Sequence, residues 1–147
     1  MKHIYLCGSM TKDPRCQKWR RTVEKTFTPD NGFLFQDFVH IRAVDPSRGD
    51  CLREGETWFP QGRCFHRDIQ DIAGCDYLLL VWWGDPGRQS IGTWAEMGYA
   101  HGLGLPIFVV DISEEQEAAL HPFVQKMATE IFDNLQEALD FLLWLTE

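Results

Sequence analysis

The stretch DYLLLVWW, residues Asp76–Trp83, decides the fold class of this chain. Every residue after the aspartate is apolar or aromatic, so neither face of a strand built from them can meet water. Strands that are buried on both faces are typical of parallel sheets with helices on each side. We therefore predict that this segment forms the central strand of a parallel sheet.

On both sides of this stretch, strand patterns alternate with helix patterns. The other predicted strands are His3–Cys7, a strand within Phe33–Ile41, Pro106–Asp111 and a short edge strand at Glu130–Phe132. The predicted helices are Asp13–Phe27 (with Asp13 as N-cap and Pro14 in the first turn), Arg63–Gly74, Ser90–Gly104, a partly helical stretch Glu114–Ala128 that breaks at Pro122, and Asn134–Leu145. This alternation predicts an α/β fold in one domain over residues 1–147, a doubly wound five-stranded parallel sheet with helices on both faces.

The composition excludes several classes of function. The 147 residues are 44% hydrophobic and 13% aromatic, as in a globular protein, and their apolar runs are too short for a membrane helix. A formal charge of −8 argues against a nucleic-acid polymer as partner, although a local pocket of N–H groups can still bind a small phosphorylated ligand. The odd cysteine count and the absence of a signal-peptide pattern indicate reduced thiols in a cytoplasmic protein. The histidine spacing matches no metal motif, and we expect neither a metal nor a cofactor.

Glu96 is the only acidic residue of the predicted helix Ser90–Gly104. Its neighbours one turn away include the small residues Gly92 and Ala100, which leave space around the carboxylate. Two interpretations are open. Glu96 is either an ordinary solvated helix residue or a carboxylate kept in a crevice, ready to attack or to abstract a proton.

Ligands of a doubly wound sheet bind beyond the carboxyl ends of its strands. Three segments reach this edge: Gly8–Pro14, the loop before Ser90 and the stretch after Asp111. The Gly8-Ser9 turn and the helix start at Ser90 offer N–H groups to an anion, and Arg15 or Arg88 could close over a phosphate. Each feature also has a structural explanation, which is tight turning for the glycine and N-capping for Ser90.

A second carboxylate, Asp68, flanks the apolar stripe of the predicted helix Arg63–Gly74. The stripe consists of Phe65, Ile69 and Ile72. A carboxylate turned toward packed surface needs a partner or a task, because burying it unpaired is costly. An ion pair with Arg63 or Arg67 and a role in catalysis are both open from the sequence pattern.

Three pieces of the chain, IYLCGSM, RDIQDIAGCDYLLLV and SIGTWAEMGYAHGLGLPIFVV, occur in the order typical of one enzyme superfamily. Together they resemble the nucleoside 2-deoxyribosyltransferase superfamily, and they are closer to its deoxynucleoside 5′-monophosphate N-glycosidase branch. The resemblance covers about half of the chain and implies a flavodoxin-like fold.

The resemblance also implies roles for single residues. Glu96 takes the place of the nucleophile that attacks C1′ of the sugar and forms a glycosyl-enzyme intermediate, as in retaining glycosidases. Asp68 takes the place of the acid that acts on the leaving base as proton donor or hydrogen-bond partner. Tyr5 takes the place of the tyrosine that orients the nucleophile. Asp76 also matches a family aspartate, for which we expect a structural role before the central strand.

Ser90 bears on the choice between the two branches of the superfamily. The transferases carry Asp at this place, which suits a neutral 5′-hydroxyl, whereas the hydrolases carry Ser, which can donate to a phosphate. The hydrolases have a basic residue where this chain has Thr11, so Arg15 would have to replace it. The resemblance thus implies substrate binding by Gly8, Ser9, Ser90, Gly92 and Arg15, and by His121 of a neighbouring subunit that completes the site.

The first hypothesis is an N-glycosidase that hydrolyses the base–sugar bond of a (deoxy)nucleoside 5′-monophosphate through a covalent intermediate on Glu96. It would act as a homodimer or larger homo-oligomer with shared active sites. The alternatives are a nucleoside 2-deoxyribosyltransferase that exchanges bases on deoxyribose, and a non-catalytic nucleotide-sensing module. Base contacts are expected from residues 28–62, where no pattern identifies the base or distinguishes ribose from 2′-deoxyribose.

Overall fold

The computed structural model describes residues 1–9, 15–27, 41–46, 59–84 and 91–146, with the backbone alone described at residues 16, 41 and 59–64. The elements in chain order are β1 (Lys2–Cys7), α1 (Arg15–Phe27), β2 (Ile41–Val44), α2 (Phe59–Gly74), β3 (Tyr77–Trp82), α3 (Ile91–Gly102), β4 (Ile107–Asp111), α4 (Pro122–Met127), β5 (Glu130–Phe132) and α5 (Leu135–Leu145). None of the helices in these ranges has the length and apolar character needed to cross a membrane.

The strands of the described residues form one parallel five-stranded sheet in the order β2-β1-β3-β4-β5. β3 is central because β1 pairs with one of its edges and β4 with the other. The predictions of an apolar central strand and of a doubly wound α/β fold are therefore confirmed. The winding direction reverses between β1 and β3, and in such sheets a ligand crevice opens at the carboxyl ends of the two strands.

Alternating residues of the strands build two cores, one on each face of the sheet. Ile4 and Leu6 of β1 face a core with residues of α1 and α5, including the fully buried Val23 and Leu139. The other core contains residues of α2, α3 and α4. Tyr5 and Cys7 of β1 belong to this second core. The alternation of a single short strand thus directs the tyrosine and the thiol toward the side of α2 and α3.

Two predicted element boundaries are corrected by the structure. β2 occupies Ile41–Val44 and so lies further along the chain than the predicted strand within Phe33–Ile41, most of which is outside the described residues. Ala43 and Val44 contact opposite cores, which is the alternation that a strand between two helical layers requires. α2 begins at Phe59, four residues before the predicted helix start at Arg63.

Two residues also behave differently from the prediction. Phe65 is 61% exposed although it shares the helical stripe of the fully buried Ile72. It lies two turns nearer the N-terminus of α2, toward the carboxyl edge of the sheet where the strands end. Pro122 occupies the first turn of α4 instead of breaking a helix, a position where its missing N–H costs nothing. The predicted N-cap Asp13 and its neighbour Pro14 lie outside the described residues, and α1 is described from Arg15.

Candidate active site

Glu96 contacts the second core through two side chains of β1. The hydroxyl of Tyr5 donates to Glu96 Oε1 at 3.1 Å, and the thiol of Cys7 donates to Glu96 Oε2 at 3.3 Å. Both oxygens of the carboxylate therefore have a donor from the same face of one strand. A solvated surface glutamate has no such pair of donors, so the first interpretation drawn from the sequence does not describe this residue.

The inner face of α3 explains why Glu96 reaches β1. Thr93, Met97 and Ala100 are buried against the sheet, and Glu96 lies one turn from both Thr93 and Ala100. Gly92 and Gly98 are exposed, and a Cβ at either position would meet no neighbour within 4 Å in the part of the chain that the structure describes. The small residues around Glu96 thus include both a buried packing surface and open space.

Burial dominates the electrostatics of this carboxylate. Burial is the largest cause of a pKa of about 7 for Glu96, and the negative charge of Asp68 acts in the same direction. The donors Cys7 and Tyr5 and the charge of Arg20 oppose the shift. Burial and the Glu96 charge also raise the pKa values of Tyr5 and Cys7. Both groups keep their protons at neutral pH and so remain donors to Glu96.

Asp68 lies on α2 and is 5% exposed. Arg67 donates to Asp68 Oδ1 from Nε at 3.0 Å and from Nη2 at 2.9 Å, and Nη2 also donates to the carbonyl of Pro46 at 2.6 Å. The ion pair considered from the sequence is thus present, with Arg67 as its partner. Burial nevertheless raises the pKa of Asp68, because the pairing with Arg67 only partly offsets desolvation.

A buried arginine of α1 holds the Gly8-Ser9 turn at the end of β1 in place. Arg20 of α1 donates to the carbonyls of Gly8 and Ser9 at 3.1 and 3.0 Å, and its Nε lies 3.2 Å from Asp45 Oδ1. A side chain at Gly8 would meet Val81 O and the Trp19 ring at 3.1 Å, so close packing by itself requires glycine there. Since a trans peptide directs its N–H opposite to its C=O, the Ser9 N–H points away from Arg20.

Arg15 is exposed at the start of α1, and its guanidinium lies 5.4 Å from the centre of the Trp83 ring, just after β3. This contact places Arg15 at the carboxyl edge of the sheet, near the switch point between β1 and β3. Gly92 lies in the first turn of α3 on the same edge. Ser90 lies outside the described residues, so its predicted N-cap and phosphate contacts remain predictions.

A family model described as nucleoside 2-deoxyribosyltransferase matches residues 4–138. The chain belongs to this family. The match includes residues of every strand of the described sheet, among them Tyr5, and it also includes Asp68 and Glu96. A comparison with curated protein sequences gave no match.

Solved structures of other proteins share the fold of this chain at low sequence identity. The 2-deoxyribosyltransferase of the psychrotolerant bacterium Bacillus psychrosaccharolyticus has a TM-score of 0.71 and 13% identity, over 94% of this chain and 90% of that one. A conserved protein from Enterococcus faecalis V583 has a TM-score of 0.70 and 12% identity, over 95% and 96%. The Clostridium botulinum CMP N-glycosidase BcmB has a TM-score of 0.60 and 17% identity, over 98% and 99%.

His121 is not brought to Glu96 within the chain. It is the exposed N-cap of α4, where its Nδ1 accepts from the N–H of Phe123 at 3.2 Å. It lines a cavity of about 650 Å³ together with Trp82, Trp94, Gly98, Glu117, Ala118, Phe123, Val124 and Met127. Positions 94 and 98 are each two residues from Glu96 and therefore lie on nearly the opposite side of α3. The cavity thus lies on the side of α3 that faces away from the Glu96 carboxylate.

Sequence reasoning missed two groups around the site. Cys7 was interpreted only as an ordinary reduced thiol, although its position two residues after Tyr5 puts both side chains on one face of β1. Arg20 falls on the helical face shared by Trp19 and Val23, and a charge on an apolar face is a signal for a buried pair. Within the described residues, no cluster of three or more histidine, cysteine, aspartate or glutamate side chains could hold a metal ion.

Proposed function

We propose that this family member is an N-glycosidase that hydrolyses the base–sugar bond of a (deoxy)nucleoside 5′-monophosphate through a glycosyl-Glu96 intermediate. The observation that carries the proposal is the Glu96 carboxylate, partly buried and bound by both Tyr5 O–H and Cys7 S–H. A carboxylate fixed in this way has one orientation and has lost part of its water shell. Both properties favour attack on an electrophilic carbon.

In the first step, a Glu96 oxygen attacks C1′ while the bond from C1′ to the base nitrogen breaks, and the electron pair of that bond leaves with the base. The base takes up a proton from Asp68, for which burial raises the pKa and so favours the protonated form that a proton donor needs. In the second step, water attacks C1′, loses a proton to the Asp68 carboxylate and displaces Glu96. The sequence yields free base and sugar phosphate and restores both carboxyl groups, with the configuration at C1′ retained.

The 5′-phosphate is assigned to the edge formed by Gly8, Ser9, Gly92 and Arg15, with Ser90 as a further donor. Arg20 supports this assignment because it binds the turn carbonyls and so leaves the Ser9 N–H directed away from itself. The first turn of α3 adds free N–H groups and the positive end of the helix dipole. The similarity in fold to a CMP N-glycosidase is compatible with a monophosphate substrate.

We further propose a cytoplasmic homodimer or larger homo-oligomer in which His121 of one subunit completes the site of its neighbour. The exposed position of His121, on the flank of α3 opposite to Glu96, supports a contact between chains rather than within one. The whole chain, residues 1–147, acts as one domain in this proposal. The chemistry is carried by two carboxylates and calls for no cofactor.

The transferase alternative is favoured by the description of the matching family model. In that case a second base, rather than water, attacks the glycosyl-Glu96 intermediate. Both reactions share the first step, so Glu96 and Asp68 keep their proposed roles, and only the acceptor distinguishes them.

The test incubates the protein with ribo- and 2′-deoxyribonucleosides and with their 5′-monophosphates, with and without a foreign free base, and separates the products by chromatography. We expect free base and sugar phosphate from at least one monophosphate, with turnover lost in Glu96→Gln and kept in the exposed control Glu115→Gln. A new nucleoside in the presence of the foreign base would identify a transferase. Binding of a nucleotide without release of base, unchanged in Glu96→Gln, would identify a sensor and refute the proposal.

A further inference from the structure

Cys7 is a fully buried neighbour of Glu96 that has no role in the proposed reaction. Its side chain is fully buried in the second core, and its Sγ lies 3.3 Å from Glu96 Oε2. Sγ also lies 3.5 Å from the carbonyl oxygen of Thr93, one turn before Glu96 on α3. One S–H proton therefore has two acceptors, a charged oxygen and a backbone carbonyl.

We propose that Cys7 is a positioning residue for Glu96: its thiol proton is shared between Glu96 Oε2 and the Thr93 carbonyl, and it fixes the carboxylate in its ionised, attacking orientation. The inference deepens the proposed function, since it rests on Glu96 being the nucleophile. The bond to Tyr5 alone would leave Glu96 free to rotate about the Oε1 contact. A second donor from the same strand removes that freedom.

The second acceptor becomes important when the carboxylate loses its charge. An ester of Glu96 is a weaker acceptor than the ionised group, and a buried donor without an acceptor is costly. The Thr93 carbonyl lies within reach of the same Sγ, so the proton can turn to it while the sugar is bound. The thiol thus donates to Glu96 Oε2 in the free enzyme and to the Thr93 carbonyl in the intermediate.

A thiol suits this place better than a stronger donor. Cys7 lies wholly inside the apolar core, where a hydroxyl would be more costly during the intermediate, whereas an S–H group is a small hydrophobe with weak donor strength. Among the residues that the structure describes, the other groups that act on the charge of Glu96 are Tyr5 of β1, Asp68 of α2 and Arg20 of α1. Replacing Cys7 changes none of these three, so its contribution can be measured separately.

The first experiment measures kcat/KM against pH for Cys7→Ala, Cys7→Ser and the wild type. Removing the donor should move the midpoint of the acidic limb upward by about one pH unit, because the ionised form of Glu96 loses a hydrogen bond. The serine variant keeps an O–H donor and should move the midpoint less. Cys75→Ala is the matched control, since Cys75 is a buried thiol in the same core and should leave the midpoint unchanged.

The second experiment does not depend on turnover. The infrared S–H stretching band of Cys7 is identified by its loss in Cys7→Ala and is then followed against pH. We expect the band to shift with a midpoint near the Glu96 pKa of about 7, and to stop responding to pH in Glu96→Gln.

The outcomes separate the two proposals. A band that titrates with Glu96 in a protein that cleaves no substrate would support the positioning contact and refute the proposed function. A band that ignores both pH and Glu96→Gln would overturn the positioning proposal even if the enzyme cleaves nucleotides. An acidic limb that Cys7→Ala moves no further than Cys75→Ala does would overturn it as well.

Discussion

Glu96→Gln should stabilise the protein at high pH while it abolishes turnover. The ionised form of Glu96 is disfavoured in the folded state because burial raises its pKa. The unfolded chain ionises this group near its ordinary pKa and so releases the proton first. Wild-type stability is therefore greatest below pH 4.5 as far as Glu96 is concerned, and it falls as the pH rises through about 7. Glutamine does not ionise, so the free energy of unfolding of the variant does not fall for this reason as the pH rises.

The magnitude follows from the shift of the pKa from 4.5 to about 7. At about 1.36 kcal/mol per pH unit, such a shift corresponds to roughly 3 kcal/mol. Solvent screening of a side chain that is only partly buried reduces this to about 1–2 kcal/mol. Between pH 5 and pH 8 the stability of Glu96→Gln relative to the wild type should rise by that amount.

Urea unfolding at pH 5, 6.5 and 8 measures the effect, with the exposed variant Glu115→Gln as control. Groups distant from Glu96 titrate in the same way in all three proteins, so the comparison isolates Glu96 together with the charges that interact with it. A stability difference between Glu96→Gln and the wild type that stays constant with pH would refute the claim that burial disfavours the charged carboxylate. It would also remove the physical basis for a nucleophile stripped of water.

Three further predictions concern Asp68, Arg20 and Arg15. Asp68→Asn should reduce turnover of ordinary substrates by about 10²–10⁴-fold. The loss should be much smaller for a 7-methylpurine nucleotide, because its base leaves without taking up a proton. Equal losses on both kinds of substrate would contradict the role of Asp68 as proton donor. Arg20→Met should lower the free energy of unfolding by about 3–5 kcal/mol, because it removes a guanidinium from a buried contact with the Asp45 carboxylate. Adding Asp45→Asn should recover part of this loss, as measured by urea unfolding. Arg15→Ala should raise KM for the monophosphate by about tenfold and leave KM for the nucleoside unchanged, as measured by steady-state kinetics. Lys18, which is exposed on the same helix, provides the control. An equal effect from Lys18→Ala would argue against a specific phosphate contact of Arg15.

Local patterns accounted for most of the fold. The apolar run of β3 predicted its central place, and the strand–helix alternation predicted the doubly wound sheet, because burial on both faces and helical periodicity are written into neighbouring residues. Boundaries at the carboxyl edge of the sheet were less accurate. Phe65 is 61% exposed despite its place on an apolar stripe, because it lies in the part of α2 toward the ends of the strands and away from the buried Ile72.

The sequence by itself determined which carboxylate to suspect, since Glu96 is the lone acid in a helix of apolar and small residues. It also placed Tyr5 and Cys7 on one face of a strand, because side chains alternate along it. Only the tertiary structure decided that these side chains meet Glu96. Tyr5 and Glu96 are 91 residues apart along the chain, and their contact depends on how α3 packs across the sheet onto β1. The same packing buries the carboxylate and raises its pKa, because desolvation is a property of the assembled core that no short stretch of sequence possesses.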